Sequence, residues 1–181
     1  MDFQVGDQVV HSVHGVGEIT DIGVKKFGKR EPRSYYEILT PQLTVWVPID
    51  AKRDEPRLRK LTSAEKLPQL RQILQSKPKK LQKNYRSRQA QIRTRLQGGK
   101  LKNLVEVVRD LTALSRERPL NGSDEQQLTR ATRMLAREWG EIKGWKFERA
   151  EGEIQQMLTE AHRNRQNASE GKMQVSGAFA D

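Results

Sequence analysis

No cysteine occurs among the 181 residues. That excludes disulfides, thiolate zinc sites, iron–sulfur clusters and a cysteine nucleophile, and it suits a reducing compartment. Histidines number three, His11, His14 and His162. The first two stand i, i+3 in a strand-turn context where their rings do not converge. A zinc site needs three or four ligands, so they read as turn residues. Long apolar runs are also missing: no stretch approaches the roughly 18 residues of a membrane span, and the N-terminus has neither the basic nor the apolar region of a secretion signal. Gly15-Val16-Gly17-Glu18 lacks the third glycine of a phosphate loop and leads into an alternating, strand-like segment. No local motif positions a nucleophile. With 34% hydrophobic and 6% aromatic residues, the core material suffices for one domain or two small ones. The chain reads as a soluble, cytoplasmic protein that is not an enzyme and takes no cofactor, metal, membrane or small-molecule substrate.

Positive charge is abundant, 34 Lys plus Arg against 23 Asp plus Glu, a net +11. It is unevenly placed. Residues 1–60 carry ten basic and nine acidic side chains, 61–78 three and one, 79–118 twelve and three, 119–163 seven and eight, and 164–181 two and two. Nearly all of the excess therefore lies between Lys79 and Arg118. With only Glu106, Asp110 and Glu117 nearby in sequence, most of these charges repel one another, which points to a polyanionic partner.

Residues 1–50 carry short β-branched or aromatic runs: Gln8–His11, Val16–Ile22, Ser34–Leu39 and Leu43–Pro48. Turn signals at Gly6-Asp7, His14-Gly15, Gly28-Lys29 and Pro41-Gln42 separate them, with a basic hairpin tip at Lys25–Arg33. The spacing is typical of a small meander or barrel, of SH3 or Tudor size, and a Tudor/SH3-like β-barrel is expected. Asp50–Lys60, charged and carrying Pro56, reads as a connection. From Thr62 the apolar period becomes helical. Five helices are expected: about 63–75, with a Thr62/Glu65 capping box that Pro68 contradicts; 83–97, with Tyr85, Ile92 and Leu96 aligned and Gly98-Gly99 at its end; 101–118, stopped by Pro119; one opened by a Ser123/Gln126 box; and 145–163. Periodicity ends at Asn164. The resulting fold is α+β: a small β-barrel domain at 1–60, an all-α domain at 61–163 and a flexible tail at 164–181.

The basic helices can hold a nucleic-acid backbone, because each neutralised phosphate releases counterions; six such contacts give a salt slope of about −5 on duplex DNA. Lys79, Lys80, Lys83, Arg86, Arg88 and Arg93 surround or follow Tyr85, whose ring either stacks on a base or simply caps the apolar stripe. No constellation for reading base edges in the major groove is present, so binding is weakly sequence-specific. Leu43–Pro48, with Trp46 projecting, makes a strand able to pair with a partner's sheet edge. The basic helices alone equally permit an RNA- or ribosome-associated structural protein.

Phe3-Gln4-Val5-Gly6-Asp7-Gln8-Val9-Val10-His11-Ser12-Val13-His14-Gly15-Val16-Gly17, then Tyr36–Leu39 and Leu43–Pro48, together with Asn84–Arg88 and Val105–Leu111, resemble the CarD/CdnL transcription regulators of bacteria. Their N-terminal module is similar to the RNA-polymerase-interacting domain of transcription-repair coupling factor. The resemblance implies a Tudor-like domain docking on the RNA polymerase β subunit through Thr44, Val45, Trp46 and Val47 and through Lys25 and Lys26. It also implies a helical domain touching promoter DNA at the upstream edge of the transcription bubble through Tyr85, Arg86 and Arg88, so that the open complex is stabilised. The shared module also allows a repair- or elongation-coupling role. Where the family often has Tyr-Pro this chain has His11-Ser12; where it commonly has Arg or Met it has Trp46; where it typically has a tryptophan wedge it has Tyr85. A tyrosine has less stacking surface, which implies a weaker wedge.

Overall fold

The computed structural model describes residues 3–28, 31–50, 58–97 and 99–177. The hairpin-tip residues Lys29 and Arg30, most of the expected connection including Pro56, Gly98, and the last four residues of the expected tail lie outside them. Five antiparallel strands, β1 (Gln8–His11), β2 (Gly15–Lys25), β3 (Arg33–Leu39), β4 (Thr44–Pro48) and β5 (Leu58–Lys60), form one sheet in the order β4-β3-β2-β1-β5. The expected barrel is not closed: β4 and β5 end the order, and no ladder joins them among the described residues. Leu58–Lys60, expected to be connection, pairs instead with Val9–His11. Three ladder residues need no hydrophobic alternation, so composition does not reveal them.

One face of the sheet buries Val9, Ile19, Tyr36, Ile38 and Val47, alternate positions of the strands as the period of two requires, and Phe3, ahead of β1, packs with them. Gly17 lets β2 and β3 close up: a Cβ there would stand 2.7 Å from Ile38 Cγ2 and 2.8 Å from the Leu39 carbonyl. At the β1–β2 turn His11 is 1% exposed and its Nδ1 accepts from the amides of Val13 and His14 at 3.1 and 3.0 Å. Burial first, and the neighbouring His14 second, lower its pKa to about 4, so the ring stays neutral and organises the turn.

The helices are α1 (Leu67–Gln75), α2 (Tyr85–Gln97), α3 (Leu101–Glu117), α4 (Gly122–Lys143) and α5 (Phe147–Gly177). A single 3-10 turn, Ala64–Lys66, precedes α1, and Pro68 falls in α1's first turn, where its missing N–H is harmless. Thr62 is no cap; its hydroxyl donates to Glu138 at 2.9 Å. Likewise α4 is capped not by Ser123 but by Asn121, whose Oδ1 accepts from Asp124 N at 3.0 Å. Gly144, at φ 63°, closes α4 in the left-handed region. The five helices bury Leu70, Leu74, Val105, Val108, Leu111, Leu135, Trp139 and Ile154 in a second core. Trp139 is wholly buried and its Nε1 donates to Glu153 at 2.7 Å.

α5 continues past Asn164, where a flexible tail was expected, and stays helical to Gly177. Once a packed helix is nucleated, each further residue adds a bond at little cost, and Arg165 anchors the extension to the Gln75 carbonyl at 3.3 Å.

Sheet and helices meet at a clamp. Arg59 of β5 donates to both carboxylate oxygens of Glu138 on α4, at 2.7 and 2.6 Å, and to the Gly99 carbonyl between α2 and α3 at 2.6 Å.

Candidate functional site

The β3–β4 hairpin turns on Thr40, whose amide donates to the Leu43 carbonyl at 3.0 Å and whose hydroxyl accepts from Leu43 N at 3.2 Å. At the far end Ile49 N donates to Ser34 O at 3.0 Å. These bonds make Ile38–Val45 and Tyr36–Val47 the hydrogen-bonded pairs of the ladder. The backbone groups of Thr44 and Trp46 consequently aim away from β3, along an edge that no other described strand covers. Pro48 shares that outward backbone position, where its lack of an N–H costs nothing.

Trp46 stands opposite Glu37 on the outer face. Its Nε1 donates to Glu37 Oε2 at 3.0 Å, and Lys25 Nζ donates to the same oxygen at 2.6 Å. The bond from Lys25 first, then that from Trp46, hold the Glu37 carboxyl below its ordinary range. Lys25 Nζ also lies 5.3 Å from the Trp46 ring centroid, and Phe27 packs 5.9 Å from it. The indole is thus held in place while 39% exposed. Lys26 is exposed beside Lys25. Of the other expected contacts, Thr44 shares the outward face, Val45 turns partly inward, and Val47 is 3% exposed in the core, which removes its side chain from any surface.

On the helical side some of the twelve basic residues of 79–118 are tied to acids and others are not. Arg95 and Arg109 both pair with the buried Asp110, at 2.8 and 2.7 Å, and Lys79 lies 3.6 Å from Glu106. Lys80, Lys83, Arg86 and Arg93 are exposed and have no acidic partner among the described residues. Tyr85, the first residue of α2, is 47% exposed. It does not cap the apolar stripe; Ile92 and the half-buried Leu96 fill that role.

Arg88 departs from expectation most. It is 2% exposed and donates through Nε and Nη2 to Asp124 Oδ2 at 2.9 and 2.7 Å. Its Nη1 donates to the carbonyls of Gln82 and Lys83 at 2.8 and 2.9 Å. Arg88 is therefore buried away from any DNA and instead fastens the segment that leads into Tyr85. Asn84 finishes the arrangement, its Oδ1 accepting from Ser87 N at 3.1 Å to cap α2. Among the described residues no cluster of His, Asp and Glu is placed to hold a metal, and no helix is long and apolar enough to cross a membrane.

Sequence reasoning missed Glu37, Asp124 and Glu138. Glu37 was within reach: counting outward from the Thr40–Leu43 turn puts it opposite Trp46. Asp124 and Glu138 carry no such signal, since each meets its arginine from a different element.

Among the described residues no strand covers the β4 edge that carries Trp46, and Lys80, Lys83, Arg86 and Arg93 on the helical side have no acidic partner. The comparisons with known proteins place the chain in a family. Residues 3–62 match the family model described as the CarD-like/TRCF RID domain, and residues 69–155 match that of the CarD C-terminal domain. A curated protein of Bacillus subtilis (strain 168), named "Putative transcription factor YdeB", is 31% identical over 144 residues, covering 78% of this chain and 93% of that protein. The chain belongs to the CarD family, whose work is transcription regulation through interaction with RNA polymerase.

Proposed function

We propose that residues 1–60 dock on the β subunit of RNA polymerase while residues 61–163 hold promoter DNA at the upstream edge of the transcription bubble, in the cytoplasm and on the nucleoid, stabilising the open complex. Thr44 and Trp46 offer the β4 edge and an anchored indole, and Lys25 and Lys26 flank them. Main-chain pairing along such an edge supplies affinity, and the tryptophan supplies specificity. Lys79, Lys80, Lys83, Arg86 and Arg93 hold phosphates, and Tyr85 leans on an unstacked base. Arg88 acts as a positioning residue.

The observation that carries the DNA half is the exposure of Tyr85 at the capped start of α2, with Lys80, Lys83 and Arg86 exposed nearby in sequence and without acidic partners among the described residues. A ring that favours unstacked over stacked DNA by about 1.4 kcal/mol shifts the closed-to-open equilibrium tenfold. Stacking on a tyrosine at the low end of the range is worth about 1 kcal/mol, so Tyr85→Ala shortens the lifetime of open promoter complexes about fivefold. Tyr85→Trp lengthens it. Filter retention after competitor challenge reads both; DNA binding and lifetimes unchanged in Tyr85→Ala contradict the wedge.

A further inference from the structure

We propose that the cleft between the sheet and α4 is a binding site for a small phosphorylated ligand of nucleotide size. The cleft has a volume of about 680 Å³ and lies between the β1–β2 turn, the β3–β4 turn and the outer face of α4. That volume falls within the range of small-molecule pockets, roughly 300–1,000 Å³.

Its lining is of two kinds. Val13, Leu43 and Met134 give apolar surface, suited to one face of a base. Arg130, Arg133 and Arg137, at i, i+3 and i+7 on α4, bring three guanidiniums to one side of the helix, against a single lining carboxylate, Glu125. None of the three arginines is paired with an acid among the described residues. Arg130 is oriented by its Nη2, which donates to the Val13 carbonyl at 2.8 Å and so ties the wall of the cleft to the β1–β2 turn. A guanidinium presents its donors in a fixed fork that matches phosphate oxygens, and uncompensated cations in a concavity concentrate anions.

The site is separate from the surfaces assigned above. At 100° per residue the cleft-lining face of α4, around Arg133, is turned about 180° from Asp124, which faces Arg88 and α2. Tyr85 and its basic neighbours do not line the cleft, and neither does Trp46. The ligand therefore does not compete with DNA at α2.

The test is calorimetric titration of the full-length protein with ATP and with inorganic tripolyphosphate, both without divalent cations. One saturable site is expected. Removing a charge-assisted hydrogen bond to phosphate costs about 1.4 kcal/mol or more, so Arg133→Ala with Arg137→Ala weakens binding about tenfold at least. Lys83→Ala with Arg86→Ala leaves it unchanged. Tighter binding of ATP identifies a nucleotide as the ligand; equal affinities identify the phosphate chain as what the arginines recognise. The proposal is overturned by an absence of saturable binding, by equal losses in the two double variants, or by displacement of ATP by short duplex DNA, which would assign the arginines to nucleic acid.

Discussion

Arg88→Ala lowers the unfolding free energy of the helical part by about 3–5 kcal/mol, the usual cost of stranding one partner of a buried ion pair. Asp124, 0% exposed, keeps only the side-chain amides of Gln89 and Asn121, at 2.6 and 2.7 Å. Replacing both partners separates stability from function. Arg88→Met with Asp124→Leu removes both charges, and hydrophobic replacement of a buried pair is often neutral or stabilising, so most of the lost stability returns. The carbonyls of Gln82 and Lys83 remain without their donor, and the approach to Tyr85 stays loose. Urea unfolding is expected to recover in the double variant while affinity for promoter DNA does not. Full recovery of both contradicts the positioning role.

Arg59→Ala destabilises the protein more than Glu138→Ala does, although both break the same bridge. The difference lies in burial. Glu138 has 2% of its side chain exposed and Arg59 24%. Without Arg59 the carboxylate is left inside with only the Thr62 hydroxyl, at a cost of about 3–5 kcal/mol. Without Glu138 the arginine can turn toward water, and the loss is about 1.5–3 kcal/mol, that of hydrogen bonds to a charged group. Because Arg59 joins β5 to α4 and to Gly99, its removal also uncouples sheet from bundle. Trp46 reports the sheet, and Trp139 with Trp145 report the helices, by fluorescence. The wild type is expected to show one coincident unfolding transition and Arg59→Ala two. An equal effect of both substitutions contradicts the asymmetry.

Periodicity made much of this fold legible. The alternating runs of residues 8–48 gave four strands close to their observed bounds, and the 3.6-residue period from Leu67 to Leu158 gave the helices, because burial on one face is a local sequence property. What escaped depended on partners distant in the chain. β5 is visible only through Val9–His11, and Asn121 displaced the Ser123 box because loop geometry chose the cap. Arg88 shows the limit most clearly. It sits four residues before Ile92 and hence close to the inward stripe, but only Asp124, 36 residues away, makes its burial possible. Charge counting treated every cation of 79–118 as available, whereas the fold withdraws Arg88, Arg95 and Arg109 into ion pairs. The exposed cations that flank Tyr85 in sequence, Lys80, Lys83 and Arg86, form a smaller set than the charge count suggested.

The most direct test of the account is retention of the full-length protein on RNA polymerase after nuclease treatment, compared with Trp46→Ala and Tyr85→Ala. A tryptophan anchoring an interface is worth about 2 kcal/mol, so Trp46→Ala is expected to weaken retention about thirtyfold while Tyr85→Ala is retained like the wild type. Retention of Trp46→Ala equal to the wild type, or loss of binding in Tyr85→Ala instead, would contradict docking through β4.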